Sequence, residues 1–242
     1  MRRPGSERGR NQERVGPGSG AGGTAVTARR VEQVAGAPCV VSVAEHAGWA
    51  HLVCVAASGP VPVVVERRRV TLIDDGLPRL PYEHESIGMT IGDADALIAR
   101  VRRSIAARAG LALRRVVTEL SPAHAAVAVA IRQPPFPDLP ATVVPVRQSY
   151  RLQCAADGML YQLAICRAAR ALDLTVHLCP RGEEQARAAA QLGVAADEVE
   201  AFVSRTGRPL GPPWTQEHRR AYAAGIAALQ AHTLTPLRLG GS

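Results

Sequence analysis

Glu45 and His46 stand where an apolar run ends and a turn begins, a position at which ionisable side chains can do chemistry. A carboxylate at such a place can bind a metal ion or act as a general base, with an imidazole beside it. The structural alternative is a carboxylate that bonds the amides of the turn. Because a charged pair ending an apolar strand costs free energy unless it has a partner, both interpretations stay open.

His218 is a second candidate for metal or acid–base chemistry. Thr215 is a suitable N-cap for the last predicted helix, which places His218 at the third helical position. The positive helix end disfavours an imidazolium, so we expect the pKa of His218 to be lowered. A neutral imidazole can bind a metal or accept a proton. Alternatively, His218 lies at the edge of the core and bonds a backbone carbonyl.

Two other polar pairs could contribute to the same site. His84 and Glu85 lie in a predicted loop and would add an imidazole and a carboxylate, unless they are ordinary solvated surface. Asp157 and Tyr161 are one helical turn apart. Asp157 would be an acid facing the cleft with Tyr161 as a hydrogen-bond donor, or the pair is a polar contact at the edge of the core.

Six arginines are candidates for a phosphate-binding surface: Arg67, Arg68, Arg69, Arg132, Arg147 and Arg151. For the first three, the alternative is an edge strand that uses charge to prevent pairing with another sheet. Arg132 ends an apolar strand and is therefore expected to have an acidic partner, for which Glu45 or Asp157 would be suitable.

Charge and composition restrict the function classes only weakly. The 242 residues carry a net charge of +8, and all 29 basic residues are arginine. Residues 1–30 contain seven arginines and two acids, so most of the net charge lies in this Gly- and Arg-rich leader. The rest of the chain is mildly basic, and global charge alone does not identify a nucleic-acid partner.

Several classes of protein lack support in the sequence. It has no Walker loop, HExxH or GxSxG motif, and its five cysteines show no CxxC or zinc spacing. No apolar run approaches the ~18 residues that span a bilayer, and no apolar segment marks a secretory signal. We therefore expect a cytoplasmic protein without a membrane partner.

Hydrophobic periodicity predicts an α/β protein with one mixed sheet flanked by helices. Three strands form an antiparallel meander, two later strands are parallel, and the predicted strands cover residues 39–45, 50–57, 61–73, 125–131 and 174–178. The predicted helices cover residues 90–121, 149–171, 183–191, 197–205 and 215–231. We expect a disordered tail at 1–37, a single domain at 38–232 and a C-terminal tail at 233–242.

Four segments resemble RNase H-like proteins, and among them the RuvC-type Holliday-junction resolvases. Residues 41–49 (Val-Ser-Val-Ala-Glu-His-Ala-Gly-Trp) resemble the opening strand, where an Asp precedes a turn with Gly. Residues 128–132 resemble the fourth strand, which ends in Glu, and residues 174–180 resemble the fifth. Residues 214–229 resemble the last helix, which carries His-x-x-Asp. The resemblance covers residues 39–232 and implies the RNase H-like fold.

The resemblance also implies a site chemistry, in which carboxylates from the first strand, fourth strand and last helix hold two divalent metals that cleave a phosphodiester. Glu45 takes the place of the Asp, His218 matches the His, Arg132 stands where the family has Glu, and Ala221 replaces the final acid. A second register would use Glu119 instead of Arg132. The implied cofactor is Mg or Mn, and the implied partners are DNA or RNA and a second copy of the chain.

Three functions remain open at this point. The first is a nucleic-acid-binding protein or metal-dependent nuclease, with Glu45, His218 and Asp157 as catalytic residues and His84 and Glu85 as additional metal ligands. The second is a catalytically inactive RNase H-like module for interaction or scaffolding, with Arg132 in the former metal site. The third is a small-molecule hydrolase on the same scaffold.

Overall fold

Three antiparallel strands and two parallel strands form one central sheet. The structure, a computed structural model, describes residues 36–121 and 123–240. Its five strands are β1 (Ala37–His46), β2 (Trp49–Ser58), β3 (Val61–Thr71), β4 (His124–Gln133) and β5 (Thr175–Pro180), in the order β3-β2-β1-β4-β5. β1, β2 and β3 are antiparallel neighbours, whereas β4 and β5 run parallel to β1. The predicted mixed sheet, an antiparallel meander joined to two parallel strands, is confirmed.

The helices form two layers, one on each face of the sheet. α1 (Ile91–Leu120) and α3 (Tyr150–Arg170) pack on one face, with the short α2 (Val143–Arg147) beside them. α4 (Glu184–Leu192), α5 (Ala196–Leu210) and α6 (Gln216–Gln230) cover the other face. We call these the α1–α3 layer and the α4–α6 layer. The sheet separates two apolar cores, as expected when both faces of parallel strands are buried.

Local sequence signals account for most of these elements. The turn between β1 and β2 uses Gly48 at φ +90°, a backbone conformation that strains residues with a Cβ. The Thr90 side chain accepts a bond from the N–H of Asp93 and thereby caps the start of α1. β3 has a bulge at Val65, because Glu66 pairs with Cys54 while Val64 pairs with Val55.

Some segments differ from the predictions. A π-helical turn (Pro81–Glu85) and α2 lie in stretches predicted as loops. The predicted N-terminal tail at 1–37 lies outside the described residues except for its last two. In the predicted C-terminal tail, Leu237 is buried and the N–H of Arg238 donates to the carbonyl of Pro60. Among the described residues, no helix is long and apolar enough to cross a membrane.

Candidate functional site

The carboxyl ends of β1, β4 and β5 lie together at one end of the sheet, because the three strands are parallel. β1 contributes Glu45, β4 contributes Arg132, and Arg181 follows directly after β5. The first turns of α4 and α6 add Glu184 and Glu217. These five charged residues, which we call the charged cluster, form the candidate site.

Arg132 is the centre of the charged cluster. Its side chain is 1% exposed, its Nε donates to Oε1 of Glu184 at 2.6 Å, and its Nη1 donates to Glu217. Burial opposes the charged guanidinium, but the bonds to the two carboxylates outweigh burial and raise the pKa of Arg132. Glu184 is fully buried and also accepts the N–H of Gly182 at 2.9 Å. The guanidinium therefore stays charged and compensated.

The predicted partners of Arg132 are wrong. Glu45 and Asp157 were suitable by charge, but the alternation of β4 directs Arg132 toward the α4–α6 layer, together with Ala128 and Ala130. Asp157 belongs to α3 on the opposite face. Glu119, the alternative acid, is exposed in the last turn of α1 and bonds Arg68 and Arg115. Arg132 is therefore not available to a phosphate.

Glu45 is buried with an incomplete set of partners. Its carboxylate is 3.4 Å from Nη2 of Arg181, and its Oε2 has no hydrogen-bond partner within the described residues. Burial raises the pKa of Glu45 to about 7, although Arg181 and Arg132 favour the charged form. The carboxyl of Glu45 therefore changes its protonation state near neutral pH.

His218 packs on the other face of the sheet. It accepts the N–H of Thr215 at Nδ1, completing a capping box at the start of α6, and its ring centroid is 4.1 Å from that of His51. Burial, with a contribution from His51, lowers the pKa of His218 to about 4. The predicted direction of this shift agrees with the structure, but burial is its main cause. His218 is thus a neutral imidazole.

Glu45 and His218 lie at the same end of the sheet but project from opposite faces. Val41 and Val43 contact the core under the α1–α3 layer. Side chains alternate along β1, so Glu45 points to the same face, and its partner on β2, Ala50, belongs to the same core. His218 lies in α6, whose core is the other one. The sheet therefore separates the two groups that the metal-site prediction brings together, and their catalytic role stays a prediction.

The remaining predicted acids and imidazoles lie around the π-helical turn. The Asp157 carboxylate accepts the N–H groups of Tyr82 and Glu83 at 3.0 and 2.9 Å, and the Tyr161 hydroxyl donates to the carbonyl of Arg79. Both side chains thus fasten this loop to α3. Burial raises the pKa of Asp157 to about 6. His84 is 64% exposed beside Glu83, and Glu85 is also exposed.

Arg67 and Arg68, predicted to bind phosphate, are used within the protein. The guanidinium of Arg67 donates to four consecutive carbonyls of the connection between α5 and α6, those of Leu210, Gly211, Pro212 and Pro213. Arg68 bonds Glu66 and Glu119. These contacts hold the edge strand β3 to both helical layers.

The other predicted phosphate ligands are more accessible. Arg69 is exposed and lies over the ring of Trp49, with its guanidinium carbon 4.2 Å from the centroid. Arg147 donates to the carbonyl of Met89 at 3.0 Å. Arg151 is exposed on the first turn of α3. The guanidinium groups of Arg69 and Arg151 are therefore accessible to a phosphate.

The charged cluster does not fit a divalent metal. Mg or Mn requires several carboxylate oxygens free to coordinate it, but Glu184 and Glu217 bond Arg132, and Glu45 faces Arg181. Nowhere in the described part of the chain do three or more His, Cys, Asp or Glu side chains form a group that could hold a metal. A guanidinium occupies the position between the carboxylates.

Sequence reasoning missed Glu184, Glu217 and Arg181. Glu184 and Glu217 stand near the starts of helices, in polar sequence that gives no signal by itself. For Arg181 the position directly after a parallel strand was a usable signal, because residues that follow parallel strands meet at one end of the sheet. The positions of Glu184 and Glu217 depend on how α4 and α6 pack.

Comparisons with known proteins find similarity at the level of structure. No protein-family model and no curated protein sequence matches the chain. Among solved structures, RuvC of Thermus thermophilus in complex with Holliday junction substrate is similar, with 16% identity, a TM-score of 0.47, and coverage of 80% of this chain and 93% of that one. A second structure of Thermus thermophilus RuvC has 14% identity, a TM-score of 0.46, and coverage of 79% and 93%.

Proposed function

We propose that this chain binds nucleic acid through its α1–α3 layer and does not cleave it. The observation that carries the proposal is a separation of charge between the two helical layers. The helices α1, α2 and α3 contain ten arginines and four acids, whereas α4, α5 and α6 contain five of each. A one-sided excess of guanidinium groups is the electrostatic footprint expected of a phosphate-binding surface.

Most of these arginines are free to meet a phosphate. Within the described residues, only Arg108 and Arg115 of the ten form ion pairs, with Asp74 and Glu119. Arg100 and Arg103 are exposed on α1 and lie about one helical turn apart. Neighbouring guanidiniums on one helix can contact successive phosphates without any change of fold.

The charged cluster supports binding without cleavage. Metal-assisted hydrolysis needs a cation held by oxygen ligands beside the scissile phosphate. In this chain the carboxyl ends of the parallel strands hold the buried guanidinium of Arg132, which bonds two carboxylates. Arg132, Glu184 and Glu217 therefore bond one another without a metal, as in the inactive module considered from the sequence.

A salt titration with matched variants tests the binding surface. Fluorescence anisotropy of labelled duplex DNA would compare wild type, the double variant Arg100→Gln and Arg103→Gln on α1, and the double variant Arg205→Gln and Arg208→Gln on α5. All four arginines are exposed, and each pair has the same spacing. We expect the α1 variant to reduce the slope of log K against log salt by about 2, or ~0.9 for each lost phosphate contact. Equal slopes for both variants would contradict the proposal.

The same samples test for cleavage. Mg²⁺ or Mn²⁺ would be added to complexes with branched DNA, duplex DNA and an RNA–DNA hybrid, with Glu45→Gln and His218→Ala as comparison variants. We expect all substrates to remain intact. Metal-dependent cleavage that disappears in these variants would establish the nuclease function instead.

A further inference from the structure

A cavity of about 230 Å³ opens between α1 and α3, within the basic layer. Its wall is mainly apolar and comes mostly from α3, which contributes the apolar side chains of Met159, Leu160 and Leu163. Leu163 is 43% exposed, so part of this apolar wall is open to water. Three of the residues that line the cavity are small, Ala106 on α1 and Ala156 and Ala164 on α3.

The rim of the cavity is cationic. Arg102 of α1 and Arg167 of α3 both line it, and within the described residues neither has a carboxylate within ion-pair distance. Nη2 of Arg102 is 3.5 Å from the hydroxyl of Tyr82, which also lines the cavity. The backbone of Tyr82 is fixed by its bond to Asp157. An aromatic ring and two guanidiniums thus surround an apolar cavity.

We propose that this cavity receives the base of an unpaired nucleotide, with Arg102 and Arg167 contacting the neighbouring phosphates. The inference rests on the proposed function and adds the class of nucleic acid. A base has an apolar face that can stack on an aromatic side chain, and phosphates favour guanidinium partners. The cavity is smaller than the ~300 Å³ at which pockets for drug-sized ligands begin, so it fits a single ring system.

The geometry predicts a preference between forms of DNA. A base in a duplex is stacked and paired, and it can enter a cavity only after it is extruded at a cost in free energy. A single strand offers unpaired bases without that cost. The α1–α3 layer would therefore hold a paired backbone by charge alone, and a single strand by charge and by base insertion.

The test uses variants that fill the cavity without changing its charge. Ala106→Phe fills it from α1 and Leu163→Trp fills it from α3. Ala107→Phe is the matched control, because Ala107 is also exposed on α1 but does not line the cavity. Anisotropy would measure binding of a labelled thymidine strand of about 12 nucleotides and of the same strand annealed to its complement.

The expected result separates the two kinds of DNA. Each filling variant weakens binding of the single strand about tenfold and changes duplex binding by less than about twofold, while Ala107→Phe alters neither. Thermal unfolding identifies any variant that fails to fold, and the other filling variant then decides.

The inference and the proposed function fail in different ways. Equal effects of Ala106→Phe and Ala107→Phe on single-strand binding, or equal losses for single strand and duplex, overturn the base-binding cavity but leave the basic surface intact. If the wild-type protein binds neither form at low salt, the proposed function itself fails.

Discussion

Replacing Arg132 with methionine isolates the energetic role of the charged cluster. Methionine keeps much of the apolar length of the side chain but leaves the fully buried Glu184 without its cationic partner. Removing one member of a buried ion pair costs about 3–5 kcal/mol, because the remaining charge is uncompensated. For a domain of this size, each kcal/mol corresponds to about 2–4 °C in Tm. We therefore expect Arg132→Met to lower Tm by roughly 6–20 °C.

Chemical denaturation of a set of variants measures this cost. The set contains Arg132→Met and a double variant in which Glu184→Gln is added. The double variant lacks the buried charge and should recover part of the lost stability. The control is Arg115→Met, because Arg115 forms an exposed ion pair with Glu119 that contributes little to stability. If Arg132→Met costs no more than Arg115→Met, or if the double variant is less stable than the single one, the argument that Arg132 compensates a buried charge is refuted.

Three other predictions follow from single contacts. The folded pKa of Glu45, about 7, exceeds its ordinary value of 4.5, so its stabilising contribution is fully present below pH 4.5 and is lost as pH rises to 7. Over this range the free energy of unfolding of the wild type should fall by about 3 kcal/mol relative to that of Glu45→Gln. Urea unfolding at several pH values measures this difference. Parallel pH profiles for the two proteins would contradict the raised pKa of Glu45. Arg67→Met should cost about 1–3 kcal/mol, since it leaves carbonyls of the α5–α6 connection without donors, and an unchanged midpoint in guanidinium unfolding would count against that role. Gly225→Ala should destabilise α6 by about 1–3 kcal/mol, because the new Cβ would lie 2.6 Å from Val55, whereas Gly92→Ala has open space and should be neutral or stabilising in thermal melts. The same Tm change for both glycine variants would refute the close approach of α6 to β2.

The sequence predicts the sheet and the helices well because their signals are local. The apolar stretch at 125–131 indicates a buried strand, and Thr90 and Thr215 mark the starts of two helices. The partners of Arg132 could not be predicted in the same way. These partners depend on which face of β4 the side chain occupies, and they lie 52 and 85 residues further along the chain.

The relation between Glu45 and His218 shows the same limit. Their common end of the sheet follows from the order of the elements, which the sequence predicts. Their separation by the sheet follows from the position of Glu45 in the alternation of β1. A shift of one residue would reverse that outcome, and a pattern of apolar residues does not locate a strand so finely.

The bonds of Arg67 have a consequence for how the protein opens. This side chain joins an edge strand to carbonyls as far as 146 residues away, between two helices. Opening of the strand would break these bonds and free the interhelical connection at the same moment. Amide hydrogens in both places should therefore exchange with solvent at similar rates, as parts of one cooperative unit.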